Sequence, residues 1–153
     1  MPLYRAQLLC CCHGMILHLL ITFAGADTHV TVCPYFKVPE GKMEAFKAGF
    51  ADFYKATAAG TDECLYYGFA VSGNTVFCRE GYKSAAGALQ HLADVDAPLN
   101  AALEMIGGIG AVDLSVMGPA AELDQLREAL TPLGCNFWET DGGNLWLKRS
   151  GVA

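Results

Sequence analysis

A group of polar and aromatic side chains in the middle of the chain has the types that proton transfer to a small molecule requires. Glu80 and Tyr82 end a strand-like run, and His91 lies in the helix-like segment that follows. A histidine with a pKa of about 6.5 near a carboxylate can exchange protons with a phenolic or enolic substrate, while tyrosine hydroxyls hold its oxygen. We therefore predict His91 and Glu80 as catalytic residues, with Tyr67, Phe69 and Tyr82 as substrate-binding residues.

The same residues also have a plain structural interpretation. In a helix with about 100° per residue, His91 lies off the apolar stripe of Ala85, Leu89 and Leu92. That spacing favours a histidine on the solvent-exposed surface. Glu80 and Tyr82 could equally be polar residues at the end of a strand, so the sequence leaves both interpretations open.

Other kinds of site find little support in the sequence. Gly41-Lys42 is not part of a phosphate-binding loop, because the loop would need glycine where Phe36 stands, and no G-x-S-x-G motif occurs. The histidines do not have metal-ligand spacing, and Asp94 and Asp96 suit helix caps better than a cation site. We expect neither a metal nor an organic cofactor.

The composition indicates one globular domain and excludes some partners. The chain has 153 residues, of which 53% are hydrophobic and 17% are charged. Its 10 basic and 16 acidic residues give a net charge of -6. That charge repels nucleic acid and anionic membranes, so we expect no nucleic-acid partner.

Residues 1–26 form a separate N-terminal segment. An apolar run from Met15 to Phe23 precedes Ala24-Gly25-Ala26, which suits either a signal peptide with a small-residue cleavage site or a disordered leader. The protein would be secreted in the first case and cytoplasmic in the second. Four cysteines follow the segment, each in or beside a strand-like run, and we expect buried thiols rather than disulfides. They are Cys33, Cys64, Cys78 and Cys135.

The following elements alternate between strand and helix. His29–Lys37 reads as a strand whose Pro34 predicts an edge position or a bulge. A helix follows with Met43, Phe46, Phe50 and Phe53 on one face, and Gly60 ends it. Cys64–Val71 and Thr75–Glu80 form a hairpin in which Tyr67 faces Glu80 and Phe69 faces Cys78. Two helices follow, over Ser84–Ala93 and Asp96–Ile106, and then a strand at 112–117. These elements complete a β-α-β-β-α-β order, which is the ferredoxin-like arrangement.

Residues 118–153 extend this unit. The sequence predicts a short helix with Leu123, Leu126 and Leu130 on one face, followed by a hairpin of 136–140 with 144–148. We divide the chain into the leader, a domain over 27–117 and this extension of the same domain. The extension would cover a sheet edge or join an oligomer interface.

The stretch Arg79-Glu80-Gly81-Tyr82-Lys83-Ser84, with His91 seven residues later, resembles the antibiotic biosynthesis monooxygenase (ABM) family. The resemblance covers residues 29–117. It implies a homodimeric α/β barrel in which two sheets pack face to face. It also implies that His91 and Glu80 lie in the pocket, with Tyr82 at the family's aromatic position.

The resemblance and the acid–base residues together predict a cofactor-independent monooxygenase for a small phenolic or quinol-type substrate. His91 would act as the base, Glu80 would orient it, and Tyr67 or Tyr82 would bind the substrate oxygen. The alternative is a non-catalytic α/β barrel that binds a small aromatic or apolar molecule, as in a stress response.

Overall fold

The computed structural model describes residues 27–141, which form one five-stranded sheet with helices packed on one of its faces. The sheet order is β2-β3-β1-β4-β5. All neighbours pair antiparallel except β4 and β5, which are parallel. The elements are β1 (Val30–Lys37), α1 (Met43–Ala48), α2 (Phe50–Ala59), β2 (Cys64–Ser72), β3 (Thr75–Tyr82), α3 (Ala85–Asp94), α4 (Asp96–Ile106), β4 (Val112–Gly118), α5 (Ala120–Leu130) and β5 (Asn136–Glu139).

The first four strands confirm the predicted ferredoxin-like arrangement. The central strand β1 contributes Val30, Val32 and Phe36 to the helix-covered face, and all three are buried. Alternate residues on β1 point to the other face and are half-buried or exposed. No helix between residues 27 and 141 is long and apolar enough to span a membrane.

The β2–β3 hairpin has the predicted register. Ser72 pairs with Thr75, and Tyr67 pairs with Glu80. Gly73 has a φ of +55°, a conformation that glycine adopts without a Cβ clash. The register shifts between Cys64 and Tyr66, at the far end of the hairpin.

The prediction for Pro34 is wrong, because β1 is the central strand and continues through the proline without a register shift. Val32 pairs with Glu80 and Tyr35 with Phe77, so both sides of Pro34 keep one register with β3. On the β4 side, Pro34 pairs with Leu114. Proline lacks an N–H, so it leaves a local gap in the ladder toward β3.

The helix predicted after β1 is divided at Gly49. α1 ends at Ala48, and Gly49 is shared between the end of α1 and the start of α2. Phe46 and Phe53 are nevertheless both buried in one core cluster. Gly60 ends α2 as predicted, with its N–H donating to the Thr57 carbonyl at 3.3 Å.

The extension has the predicted helix and the first strand of the predicted hairpin. Leu123, Leu126 and Leu130 of α5 are buried in the same core cluster as Val30 and Val116. β5 pairs parallel with β4, which removes β4 from the sheet edge. Residues 144–148, the second half of the predicted hairpin, lie outside the described residues, and so does the 1–26 leader.

The four cysteines within residues 27–141 are free thiols. Cys78 is buried, whereas the other three are half-buried. The prediction of thiols rather than disulfides is therefore confirmed for this part of the chain.

Candidate acid–base site

The helix-covered face of the hairpin places two of the predicted site residues next to each other. Alternation along β3 directs Glu80 and Tyr82 to the same face, toward α3. Tyr67 lies on the neighbouring strand directly opposite Glu80. This juxtaposition follows from the two-residue turn, because the turn fixes the register of every later pair.

His91 joins these residues from α3, and its surface-exposed alternative is wrong. Ser84 begins the helix by accepting a hydrogen bond from the Gly87 N–H at 3.2 Å. His91 then points toward the sheet with a relative exposure of only 3%. The apolar stripe gave the wrong prediction because α3 packs on two neighbours. Leu89 and Leu92 are half-buried against the cluster that contains α5, whereas the sheet covers the adjacent face of α3.

Glu80, Tyr82 and His91 form a buried cluster, and the half-buried Tyr67 lies beside it. The Tyr82 hydroxyl donates to Oε2 of Glu80 at 2.7 Å. Nε2 of His91 lies 4.0 Å from the same oxygen, which is beyond hydrogen-bonding distance. The His91 ring is 5.0 Å from the Tyr67 ring and 5.2 Å from the Tyr82 ring, measured between centroids.

Burial shifts the pKa values of the two ionisable partners in opposite directions. Burial raises the pKa of Glu80 to about 7, although the hydrogen bonds from Tyr82 and Cys78 oppose that rise. Burial also lowers the pKa of His91 to about 4, although the charge of Asp94 opposes that change. The imidazole is therefore neutral at neutral pH, whereas the Glu80 carboxyl changes its charge near neutral pH.

The His91 ring has an unused polar atom. Nδ1 is buried and has no hydrogen-bond partner among the described residues. A buried nitrogen without a partner is costly, and it is free to accept or donate a hydrogen bond to a small molecule.

Phe69 pairs with Cys78, as the predicted hairpin register requires. Its ring stacks on Phe50 of α2 at 4.1 Å and meets the Tyr67 ring edge-on at 5.5 Å. Phe69 therefore extends the site as an apolar wall next to Tyr67. The prediction that it contacts substrate stays untested.

The sequence analysis placed Cys78 on this face without giving it a role, and it missed Tyr54. Cys78 is buried beside Glu80. Tyr54 of α2 meets the Tyr67 ring edge-on at 6.1 Å, and its hydroxyl accepts a hydrogen bond from the Phe69 N–H at 3.3 Å. Helical spacing gave no signal for Tyr54, which is exposed on one side.

Residues 27–141 contain no group of three or more His, Cys, Asp or Glu side chains that could hold a metal ion.

A shallow depression of 350 Å³ lies along β2 and extends toward β3. It is lined by Tyr66, Tyr67, Gly68, Phe69, Ala70, Phe77 and Arg79.

Comparison with solved structures identifies the family. The crystal structure of MupZ from Pseudomonas fluorescens is 35% identical in sequence, with a TM-score of 0.67. The match covers 83% of this chain and 99% of MupZ. This chain belongs to the same family as MupZ, and it has an ABM-like domain. No family model matches the chain, and no curated protein matches it.

Two further solved structures are similar to this chain at lower sequence identity. A conserved protein from Methanosarcina mazei is 14% identical with a TM-score of 0.53, and the match covers 59% of this chain and 91% of that protein. A protein from Caulobacter crescentus described as a candidate antibiotic biosynthesis monooxygenase is 22% identical with a TM-score of 0.49, covering 59% and 88%.

Proposed function

We propose that the protein is a cofactor-independent monooxygenase that acts on a small phenolic or quinol-type substrate. The observation that carries the proposal is the buried Glu80 carboxyl, which has a pKa of about 7 and lies beside a neutral imidazole with an unpaired nitrogen. Oxidation of an electron-rich aromatic ring by dioxygen begins most readily from its anion. The reaction therefore needs a proton acceptor that works near neutral pH.

Glu80 suits the role of proton acceptor better than His91 does. A general base works best when its pKa lies near the operating pH, and Glu80 meets that condition. The low pKa of His91 makes its imidazole a weak base. We assign to His91 the binding of the substrate hydroxyl, through Nδ1 or Nε2.

The proton-transfer step involves one bond broken and one bond formed. The substrate O–H bond breaks, the proton goes to a Glu80 oxygen, and the electron pair stays on the substrate as phenolate or enolate. Tyr67 and His91 then stabilise that oxygen by hydrogen bonding in a water-poor site. Dioxygen is the second substrate and the oxidant. One of its atoms bonds to a ring carbon, and the other leaves as water with the ring C–H and substrate O–H hydrogens, so the phenol becomes a quinone without a further reductant.

Oxygen uptake by the full chain with a panel of reduced quinols and phenols tests this function. We expect uptake by the wild type and a loss of at least about 100-fold in the Glu80→Gln variant, since a general base contributes roughly 10²–10⁴-fold. His91→Ala should raise the substrate KM and lower the rate. The matched control is Glu128→Gln, which changes an exposed carboxylate on α5 and should leave uptake intact.

Two outcomes would contradict the proposal. Equal uptake by wild type and Glu80→Gln would remove Glu80 from the reaction. If no member of the panel gives uptake, while one of these compounds binds with an affinity that His91→Ala barely changes, the protein is the non-catalytic binding barrel.

We also propose a homodimer that forms through the sheet face without helices. Tyr35, Met117 and Trp138 all lie on that face and are exposed, Trp138 by 61%. Exposed apolar side chains concentrated on one face favour association. Light scattering should give the mass of a dimer for the wild type and a monomer for Trp138→Glu, and a monomeric wild type would refute the proposal.

A further inference from the structure

The Glu80 carboxyl is held from one side by a single strong donor. The Tyr82 hydroxyl donates to Oε2 at 2.7 Å, and both residues are buried, Tyr82 completely. No other oxygen or nitrogen atom in residues 27–141 hydrogen-bonds to this carboxyl. The Cys78 thiol also acts on it, but a thiol is a weak donor.

The two residues lie on the same strand with one residue between them, so the backbone of β3 fixes their separation. Tyr82 is locked in turn, because its ring packs against His91 in the interior and its backbone pairs with Val30 of the central strand. The donor is therefore rigid, and it engages the oxygen that also faces Nε2 of His91. Oε1 is left as the oxygen without an oxygen or nitrogen donor.

We propose that Tyr82 is a positioning residue, which holds Oε2 of Glu80 so that Oε1 is the atom that takes the substrate proton. This inference rests on the proposed role of Glu80 as proton acceptor. It also changes the expected role of Tyr82, whose hydroxyl proton is committed to Glu80 rather than to substrate.

A hydrogen bond to the ionised form of a carboxyl favours ionisation, so Tyr82 opposes the effect of burial on Glu80. The titratable groups of the surrounding elements could add to or mask this effect. They are Cys33 on β1, Cys64 and Tyr67 on β2, Cys78 on β3 and His91 on α3. Within this set His91 is the cation-forming group, and it is neutral throughout the range in which Glu80 titrates.

The test is an NMR titration of the full-length protein carrying ¹³C-labelled glutamate side chains, with the Glu80 signal assigned from its loss in Glu80→Gln. In Tyr82→Phe we expect the Glu80 pKa to rise by about one unit, since a hydrogen bond to a charged group is worth about that much. The matched control is Tyr67→Phe, a half-buried tyrosine opposite Glu80 that does not hydrogen-bond to it, and it should change that pKa by less than about half as much. An unchanged Glu80 pKa in Tyr82→Phe would overturn the proposal.

A second measurement uses the wild-type protein and therefore does not depend on whether a Tyr82 variant folds. In the wild type, the ¹³Cζ signal of Tyr82 should shift with the same midpoint as Glu80, and that shift should vanish in Glu80→Gln. A Tyr82 signal that stays constant through the Glu80 titration would refute the contact.

The titration does not use turnover, so its failure is distinguishable from failure of the proposed function. Oxygen uptake by the wild type without a pKa change in Tyr82→Phe would overturn the positioning role alone. If uptake occurs, the acid limb of the kcat/KM profile should move upward in Tyr82→Phe by the same shift as the Glu80 pKa. A merely structural role would lower the rate without moving that limb.

Discussion

Replacing Glu80 by glutamine should change how the stability of the protein depends on pH. The folded state raises the Glu80 pKa from 4.5 to about 7. Between these values the folded protein holds a proton that the unfolded chain has released. The free energy of unfolding therefore falls as pH rises from 4.5 to 7, and it stays at the lower level above pH 7.

His91 has the opposite effect over nearly the same range. Its pKa falls from 6.5 to about 4 on folding, so the unfolded chain binds the extra proton between those values. The free energy of unfolding therefore rises with pH through that range. In the wild type the two effects oppose each other between pH 4.5 and 6.5, and the contribution of the pair should be nearly flat there.

The magnitude follows from the size of the shifts. A shift of one pKa unit corresponds to about 1.4 kcal/mol, so ionising Glu80 in the folded state costs about 3 kcal/mol. Glutamine keeps the shape and an oxygen acceptor for Tyr82 but carries no charge. We expect Glu80→Gln to match the wild type near pH 4, below the unfolded pKa of 4.5, and to exceed it by up to about 3 kcal/mol at pH 8.

Urea unfolding followed by far-ultraviolet circular dichroism, from pH 4 to 8.5 at constant protein concentration, measures this difference. Glu80→Gln should show stability that rises from pH 4 to 6.5, because only the His91 effect is left. His91→Leu should show the opposite slope, falling between pH 4.5 and 7. Parallel curves for wild type and Glu80→Gln across the whole range would refute the electrostatic reasoning.

Three further substitutions test the framework that holds the site, and urea midpoints measure each of them. Ser84→Ala removes the cap on the Gly87 N–H and should cost about 1 kcal/mol, whereas an unchanged midpoint would show that water replaces the cap. Gly81→Ala places a methyl group against the Tyr66 ring and should cost about 1–3 kcal/mol, and a neutral effect would mean that the ring moves freely. Leu123→Ala opens a cavity beneath α5 and should cost about 2–5 kcal/mol, whereas a cost below 1 would place α5 outside the core.

The features that could be predicted from the sequence are those that depend on residues close together in the chain. The hairpin register, and with it the opposition of Tyr67 and Glu80, follows from a two-residue turn and strict alternation. The buried leucines of α5 follow from helical periodicity. In each case the decisive residues are close together in the chain.

The parts that could not be predicted depend on contacts between distant segments. The orientation of His91 is set by the sheet and α5 together, so the stripe on its own helix gave an incomplete picture. The central position of β1 is set by pairing with strands that follow much later, and those pairings outweigh the local preference of Pro34 for an edge. The orientation of the Tyr82 hydroxyl toward Glu80 likewise needs atomic positions, which residue types do not supply.

The central position of β1 has a consequence for the order in which the protein folds. β1 is made first, but it pairs with β3 through Val30 and Tyr82 and with β4 through Thr31 and Met117, so its partners follow about 50 and about 85 residues later. The β2–β3 hairpin needs only a two-residue loop and can close in about 1–10 μs. Tyr67 and Glu80 should therefore meet early, while the carboxyl is still hydrated. Insertion of β1 and docking of α3 should come later and be slower. Only those steps remove water from Glu80 and so raise the pKa of its carboxyl.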